Sequence, residues 1–226
     1  MTDNNYLIFK IKGFTPKFSM LFKFIFITLL GEFLIYGKAV ADWETIIDGD
    51  SFNSYENFDS TWNYLYPWGS DHNGTARMYG SSSDHNHIYL NYGVLTLKAS
   101  KIAWNEGNSS SDPYLPIRYH SGAIHAKHKV VINEQYPNYE IKARIQVPTS
   151  RGTWPAFWLA GADSWPPESD IMEFKGSNEN WQNTYTGSWQ NKKTRVSNPG
   201  NWHTYRIWIS KKNDTDVNIH YYIDGQ

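Results

Sequence analysis

The segment Tyr139-Glu-Ile-Lys-Ala-Arg-Ile-Gln-Val147 alternates apolar and polar side chains from end to end. A period of two sends successive side chains to opposite faces, so one face meets a core and the other meets water. The same pattern recurs in Val94-Leu-Thr-Leu-Lys-Ala99, Thr204-Tyr-Arg-Ile-Trp-Ile209 and Val217-Asn-Ile-His-Tyr-Tyr-Ile223. Gly, Pro, Asn and Ser clusters separate these runs, and Ser81–His87 and Asn105–Pro113 read as surface loops. After Asp42 no stretch holds a 3.6-residue apolar period for three turns. Without a long helix to cross between parallel strands, the sheets are expected to be antiparallel. The fold class is therefore all-β, a sandwich or barrel.

Composition narrows the partners. Charged residues make up 19% and the net charge is -1, which excludes a highly charged disordered chain and argues against a nucleic-acid partner. The absence of cysteine removes disulfide scaffolds, thiolate metal sites and a Cys nucleophile. Aromatic residues reach 17%; their flat faces fill cores, and this many also suits a surface that stacks on flat ligands such as sugar rings.

Residues 1–41 read as an N-terminal extension and signal peptide ahead of one domain over 42–226. Lys10, Lys12, Lys17, Lys23 and Lys38 outnumber Asp3 and Glu32 there. The apolar run Phe24-Ile-Phe-Ile-Thr-Leu-Leu30 follows Lys23, and Ala39-Val-Ala41 fits a cleavage site. Met20 suits the start of such a signal. The span Met20–Tyr36 carries Lys23 and Glu32 and falls short of the roughly 20 apolar residues a bilayer crossing needs. A secreted, extracellular (or periplasmic) monomer with no stable membrane span is expected. Asn73-Gly-Thr75, Asn108-Ser-Ser110 and Asn213-Asp-Thr215 match the N-glycosylation pattern. At the other end, Asp224-Gly225 after an alternating run signals a hairpin turn with no returning strand, so C-terminal strands are expected to be missing.

Chemistry concentrates in Trp165-Pro-Pro-Glu168-Ser-Asp170-Ile-Met-Glu173-Phe174. On a strand Glu168 and Asp170 share a face, whereas Glu173 stands at odd spacing from Glu168 and falls on the other. One β-bulge within Asp170–Glu173 restores the parity and aligns all three carboxylates. Crowded carboxylates raise at least one pKa. An ionised and a protonated carboxyl side by side are what a retaining glycosidase uses. The spacing alone equally fits an exposed acidic strand or a calcium site. The eight histidines show no zinc-ligand spacing and read as surface or core residues.

Glu168-Ser-Asp170-Ile-Met-Glu173 resembles the bulged Glu-x-Asp-x-x-Glu signature of glycoside hydrolase family 16. Gly152-Thr-Trp-Pro-Ala-Phe-Trp-Leu159 resembles that family's strand before the catalytic one. Ser121-Gly-Ala-Ile124 and Tyr139–Arg144 resemble its preceding pair, and Asn91–Leu97 an earlier strand. Trp202-His-Thr-Tyr205 and Tyr222-Ile-Asp-Gly225 resemble the later hairpin. The likeness covers roughly residues 90–226, in order.

The resemblance implies a β-jelly-roll sandwich of the concanavalin A-like lectin/glucanase type, with a cleft across one sheet. It implies Glu168 as nucleophile, Glu173 as general acid/base and Asp170 as the residue that tunes the nucleophile. Trp154 and Trp158 would line sugar subsites, with Trp158 open to a core reading; Arg144 and Trp189 are further substrate-binding candidates. No cofactor is implied for catalysis and no metal ligand is assigned; a structural calcium site, with Asp48 and Asp50 as weak candidates, stays open. Where many members carry a His near the acid/base, this chain has Trp189 and Gln190. The expected activity is endo-hydrolysis of a β-linked polysaccharide, β-1,3-(1,4-)glucan first and a β-galactan second. A non-catalytic carbohydrate-binding module and a transglycosylase are the alternatives. Only Lys175 lies near the motif in sequence, which disfavours heavily sulfated polymers.

Overall fold

The computed structural model describes residues 7–13 and 42–226. Strands β1 (Leu7–Gly13) and β2 (Asp42–Ile47) precede a 3-10 turn at Gly49–Phe52 and the helix α1 (Tyr55–Thr61). Six short strands follow: β3 (Trp62–Tyr64), β4 (Ala76–Met78), β5 (Ile88–Asn91), β6 (Val94–Leu97), β7 (Ser100–Lys101) and β8 (Tyr119–Ser121). Then come β9 (Ile124–Ala126), β10 (Asn138–Ile145), β11 (Ala156–Ala160) and β12 (Glu168–Glu173). The last four are β13 (Glu179–Tyr185), β14 (Trp189–Arg195), β15 (His203–Lys211) and β16 (Val217–Ile223). Each alternating run quoted above forms a strand, and the fold is an all-β jelly-roll sandwich.

Two sheets dominate. One runs β16-β15-β10-β1-β2, the other β11-β12-β13-β14. Along β10 the alternation does what the sequence demanded: Tyr139, Ile141 and Ala143 are buried while Glu140, Lys142 and Arg144 face outward. Tyr205 and Ile207 of β15 join the same core, met from the second sheet by Ile171, Met172 and Phe174. The Phe174 ring packs edge-on against Tyr205 across the two layers, centroids 6.2 Å apart. Phe174 has no exposed surface, so truncation leaves a cavity between sheets that neither can easily close. Phe174→Ala is expected to cost about 3–5 kcal/mol in urea unfolding; a loss below about 1 kcal/mol would show that the layers do collapse there.

Three features depart from the sequence expectation. The three-residue pair β4–β8 is parallel. Its crossover is not a helix but an irregular path through the β5–β6 hairpin and the loops read from sequence. Helix α1 is two turns long, started by Ser54, whose side chain accepts a hydrogen bond from the Asn57 N–H. And Leu7–Gly13, inside the stretch read as an extension, pairs with β10 on one side and β2 on the other. The apolar run Phe24–Leu30 and the Ala39–Ala41 site lie outside the described residues. No helix among the described residues is long and apolar enough to cross a membrane.

The turn expected at Asp224-Gly225 is formed. Both residues have positive φ, 52° and 86°, and Ile223 and Gln226 exchange two backbone hydrogen bonds of 3.0 Å. Asp48 and Asp50 serve local structure: Asp48 accepts from the Asp50 N–H, and Asp50 from the Asn53 side chain. Among the described residues no group of three or more His or acidic side chains is arranged to hold a metal ion.

Candidate active site

Strand β12 carries the carboxylates, and its pairing with β11 contains the expected bulge. Phe157 stands opposite Met172 and Trp158 opposite Asp170, so Ile171 has no cross-strand partner. The extra residue shifts the parity between Asp170 and Glu173. Ile171, Met172 and Phe174 then enter the core while Glu168, Asp170 and Glu173 share the other face.

The polar partners of this face are specific. One amide nitrogen, Asn183 Nδ2, donates to Asp170 Oδ2 at 2.9 Å and to Glu173 Oε2 at 3.1 Å. Glu173 Oε1 accepts from the Trp154 indole at 2.6 Å and lies 3.0 Å from Lys175 Nζ. The Glu173 N–H is fixed by Asn180 Oδ1 at 2.8 Å. Glu168 Oε2 accepts from the Trp165 indole at 2.8 Å.

Asp170 is the electrostatic centre. Burial pushes its pKa up to about 7, and the neighbouring charges of Glu173 and Glu168 push the same way against the Asn183 hydrogen bond and Lys175. The unfolded chain releases this proton near 3.8. Between those values the folded state binds the extra proton, so stability falls as pH rises and levels off above the folded pKa. Three pKa units correspond to on the order of 4 kcal/mol. Asp170→Asn has no such proton and should remove this part of the slope. Urea midpoints of both proteins at pH 4 and 7.5 check it; parallel pH profiles would contradict a raised Asp170.

Trp158, the cross-strand neighbour of Asp170, lies on the carboxylate face and not in the core. Its ring stacks on His72 (6.0 Å, 19°) and meets Trp68 edge-on (5.9 Å). The loop carrying these two rings is anchored by Asp71. Arg77 donates to both Asp71 oxygens at 2.7 and 2.9 Å, and the Ser110 N–H adds a third bond. The Arg77 guanidinium and these hydrogen bonds hold the Asp71 carboxyl well below the usual range. At the Glu168 end Tyr185 stacks between Trp165 (4.8 Å, 17°) and Trp189 (4.8 Å, 38°), and all three rings belong to the same face.

The structure thus gathers Glu168, Asp170, Glu173, Trp154, Trp158 and Trp189. It places Arg144 elsewhere, on the outward face of the other sheet, with its guanidinium 5.7 Å from the Trp202 ring centre. Trp189 and Gln190 are not the neighbours of Glu173 either. Gln190 pairs with Thr184 and faces away, and the positions around Glu173 belong to Asn183, Trp154 and Lys175. Asn183, Trp165, Trp68 and His72 escaped the sequence reading. A signal existed for Asn183: an amide among strand residues opposite a carboxylate, visible once the Asp170–Asn183 register is known.

Residues 75–226 match the family model of glycosyl hydrolases family 16. The chain is 37% identical over 189 residues to a galactan endo-beta-1,3-galactanase of Flammulina velutipes, covering 82% of this chain and 72% of that one. It is 26% identical over 219 residues to an endo-1,3-1,4-beta-glycanase of Rhizobium meliloti, covering 80% of this chain and 45% of the relative. A family 16 endo-glucanase structure from Bacteroides ovatus superposes with a TM-score of 0.49 at 22% identity, over 77% of this chain and 73% of that one.

Proposed function

The chain belongs to the glycosyl hydrolases of family 16, and from that premise we propose that it is a retaining endo-hydrolase of β-1,3-linked polysaccharide, with β-1,3-galactan its first substrate. The observation that carries the reading is the bulged β12, which aligns Glu168, Asp170 and Glu173 on one open face between two sets of exposed aromatic rings.

In the first step a Glu168 oxygen attacks the anomeric carbon. The bond from that carbon to the glycosidic oxygen breaks, and Glu173 gives its proton to the departing oxygen. Asp170, neutral below about pH 7, adds no second negative charge beside the attacking carboxylate. In the second step water attacks the glycosyl ester, Glu173 takes its proton, and Glu168 leaves as a carboxylate. Two inversions give net retention. Trp154 and Asn183 fix the two oxygens of Glu173, so its proton is presented in one direction.

The sequence motifs favoured β-1,3-glucan; the length and identity of the match to a galactanase now favour β-1,3-galactan. Glucan remains the second reading, because a glucan endo-1,3-beta-glucosidase of Niallia circulans is 30% identical over 145 residues. The chain covers 72% of the galactanase and 19% of that glucosidase. Export through the leader at residues 20–41 is part of the same proposal; cleavage there takes β1 off the mature chain and leaves β10 and β2 without the strand between them, and N-terminal sequencing of a secreted product beginning at Asp42 would support it.

The test is a product time course on β-1,3-galactan, laminarin, lichenan and agarose. Internal cleavage of the galactan is expected, with the β-anomer of the reducing end appearing first by NMR. An α-anomer first would overturn retention. Faster attack on laminarin would move the substrate to glucan.

A further inference from the structure

The two ends of the carboxylate face differ in charge. At the Glu168 end the exposed rings are Trp165 and Trp189, with the half-buried Tyr185 between them. At the Glu173 end aromatic and cationic side chains alternate across the sheet. Lys175, just past β12, lies 4.9 Å from the ring centre of Trp154 and 5.0 Å from that of Trp181. Lys193 of β14 stands over the Trp181 ring as well, 3.8 Å from its centre. The row Trp154, Lys175, Trp181, Lys193 therefore crosses from before β11 to β14.

We propose that this row is a subsite for an anionic substituent, a carboxylate or a sulfate ester, on sugars bound at the Glu173 end, with Lys193 as its specificity-determining residue. It rests on the hydrolase reading above and deepens it: the substrate becomes an acid-bearing β-1,3-galactan.

Three arguments carry it. First, Lys193 is exposed and held over an indole, an arrangement that fixes the ammonium without using its hydrogens on a carboxylate. The nearest acid on the adjacent strand, Glu179, stands opposite Arg195, not Lys193. Second, Lys175 has a carboxylate partner only while Glu173 is ionised. The form of the enzyme that starts cleavage carries a proton on Glu173, and in that form the row holds two uncompensated positive charges. An anion arriving with the substrate supplies the missing charge when it is needed. Third, the Lys175 ammonium lies within 5.0 Å of two indole ring centres with 42% of its side chain exposed, so part of its water is displaced and its attraction to an anion exceeds that of a fully solvated lysine. The sequence reading weighed only basic residues adjacent in the chain. Folding brings Lys193 to the site through the β13–β14 pairing, where Lys193 faces Trp181.

The experiment measures binding by calorimetry with the full chain carrying Glu168→Gln, so that turnover does not interfere. The probes are β-1,3-galacto-oligosaccharides that are neutral, glucuronate-bearing or sulfate-bearing. At least one acidic probe is expected to bind about fivefold more tightly than the neutral one at low salt, with the advantage fading near 0.5 M NaCl. The probe that shows it identifies the anion. Adding Lys193→Met should erase the advantage. Adding Lys212→Met, the same charge change in the turn between β15 and β16, should leave it. Equal affinity for neutral and acidic probes overturns the proposal, as does an advantage that survives Lys193→Met. Turnover of the neutral galactan by the unmutated chain is read separately: its absence beside an intact anion preference sinks the hydrolase reading and not the subsite.

Discussion

Glu168→Ala should lower kcat on β-1,3-galactan by about six orders of magnitude, the scale seen when a covalent nucleophile is removed from a preformed site. The structure gives no substitute: Asp170 on the same face is buried and keeps its proton to about pH 7. The truncated side chain leaves a gap beside Trp165 that a small anion can enter. With an activated aryl β-glycoside and added azide, turnover should recover and yield the α-glycosyl azide, because azide attacks from the face Glu168 occupied. Activity within tenfold of the unmutated enzyme, or a β-azide product, would remove Glu168 from the nucleophile's role.

Glu173→Ala should cost about 10²–10⁴-fold on the polysaccharide, the range for a missing general acid. The loss should depend on the leaving group. An aryl group of low pKa departs without a proton, so the first step is spared and the glycosyl-Glu168 ester accumulates as a burst. Azide then attacks from the side Glu173 vacated and gives the β-glycosyl azide. The two azide products are of opposite configuration, so the pair of variants assigns both roles without any structure of a complex. An equal loss on aryl and sugar leaving groups would argue that Glu173 positions substrate and does not protonate it.

Much of this architecture was legible in the chain. The β10 run alternates strictly and the β15 and β16 runs nearly so because each has one face in the core, and the parity between Glu168 and Glu173 demanded a bulge within Asp170–Glu173. What could not be read was whatever depends on which strands become neighbours. Alternation already set Arg144 outward from the core with Glu140 and Lys142, but not which sheet β10 belongs to, and that decides that Arg144 is far from the carboxylates. Asn183 becomes a partner of Asp170 only through cross-strand register. Trp68 and His72 reach Trp158 through a loop whose anchor, the Asp71–Arg77 pair, involves no periodic signal at all.

The bulge at Ile171 also fixes where the catalytic strand can change length. Deleting Ile171 would leave Glu168, Asp170 and the last glutamate at regular two-residue steps, still on one face, with Met172 and Phe174 still inward. The loss would be one buried apolar side chain, about 1.5–3 kcal/mol. A deletion at Ser169 would instead turn Glu168 to the opposite face from Asp170. The segment is thus editable at a single joint: one residue can leave there without disturbing the chemistry, and a residue lost one step earlier would dismantle it.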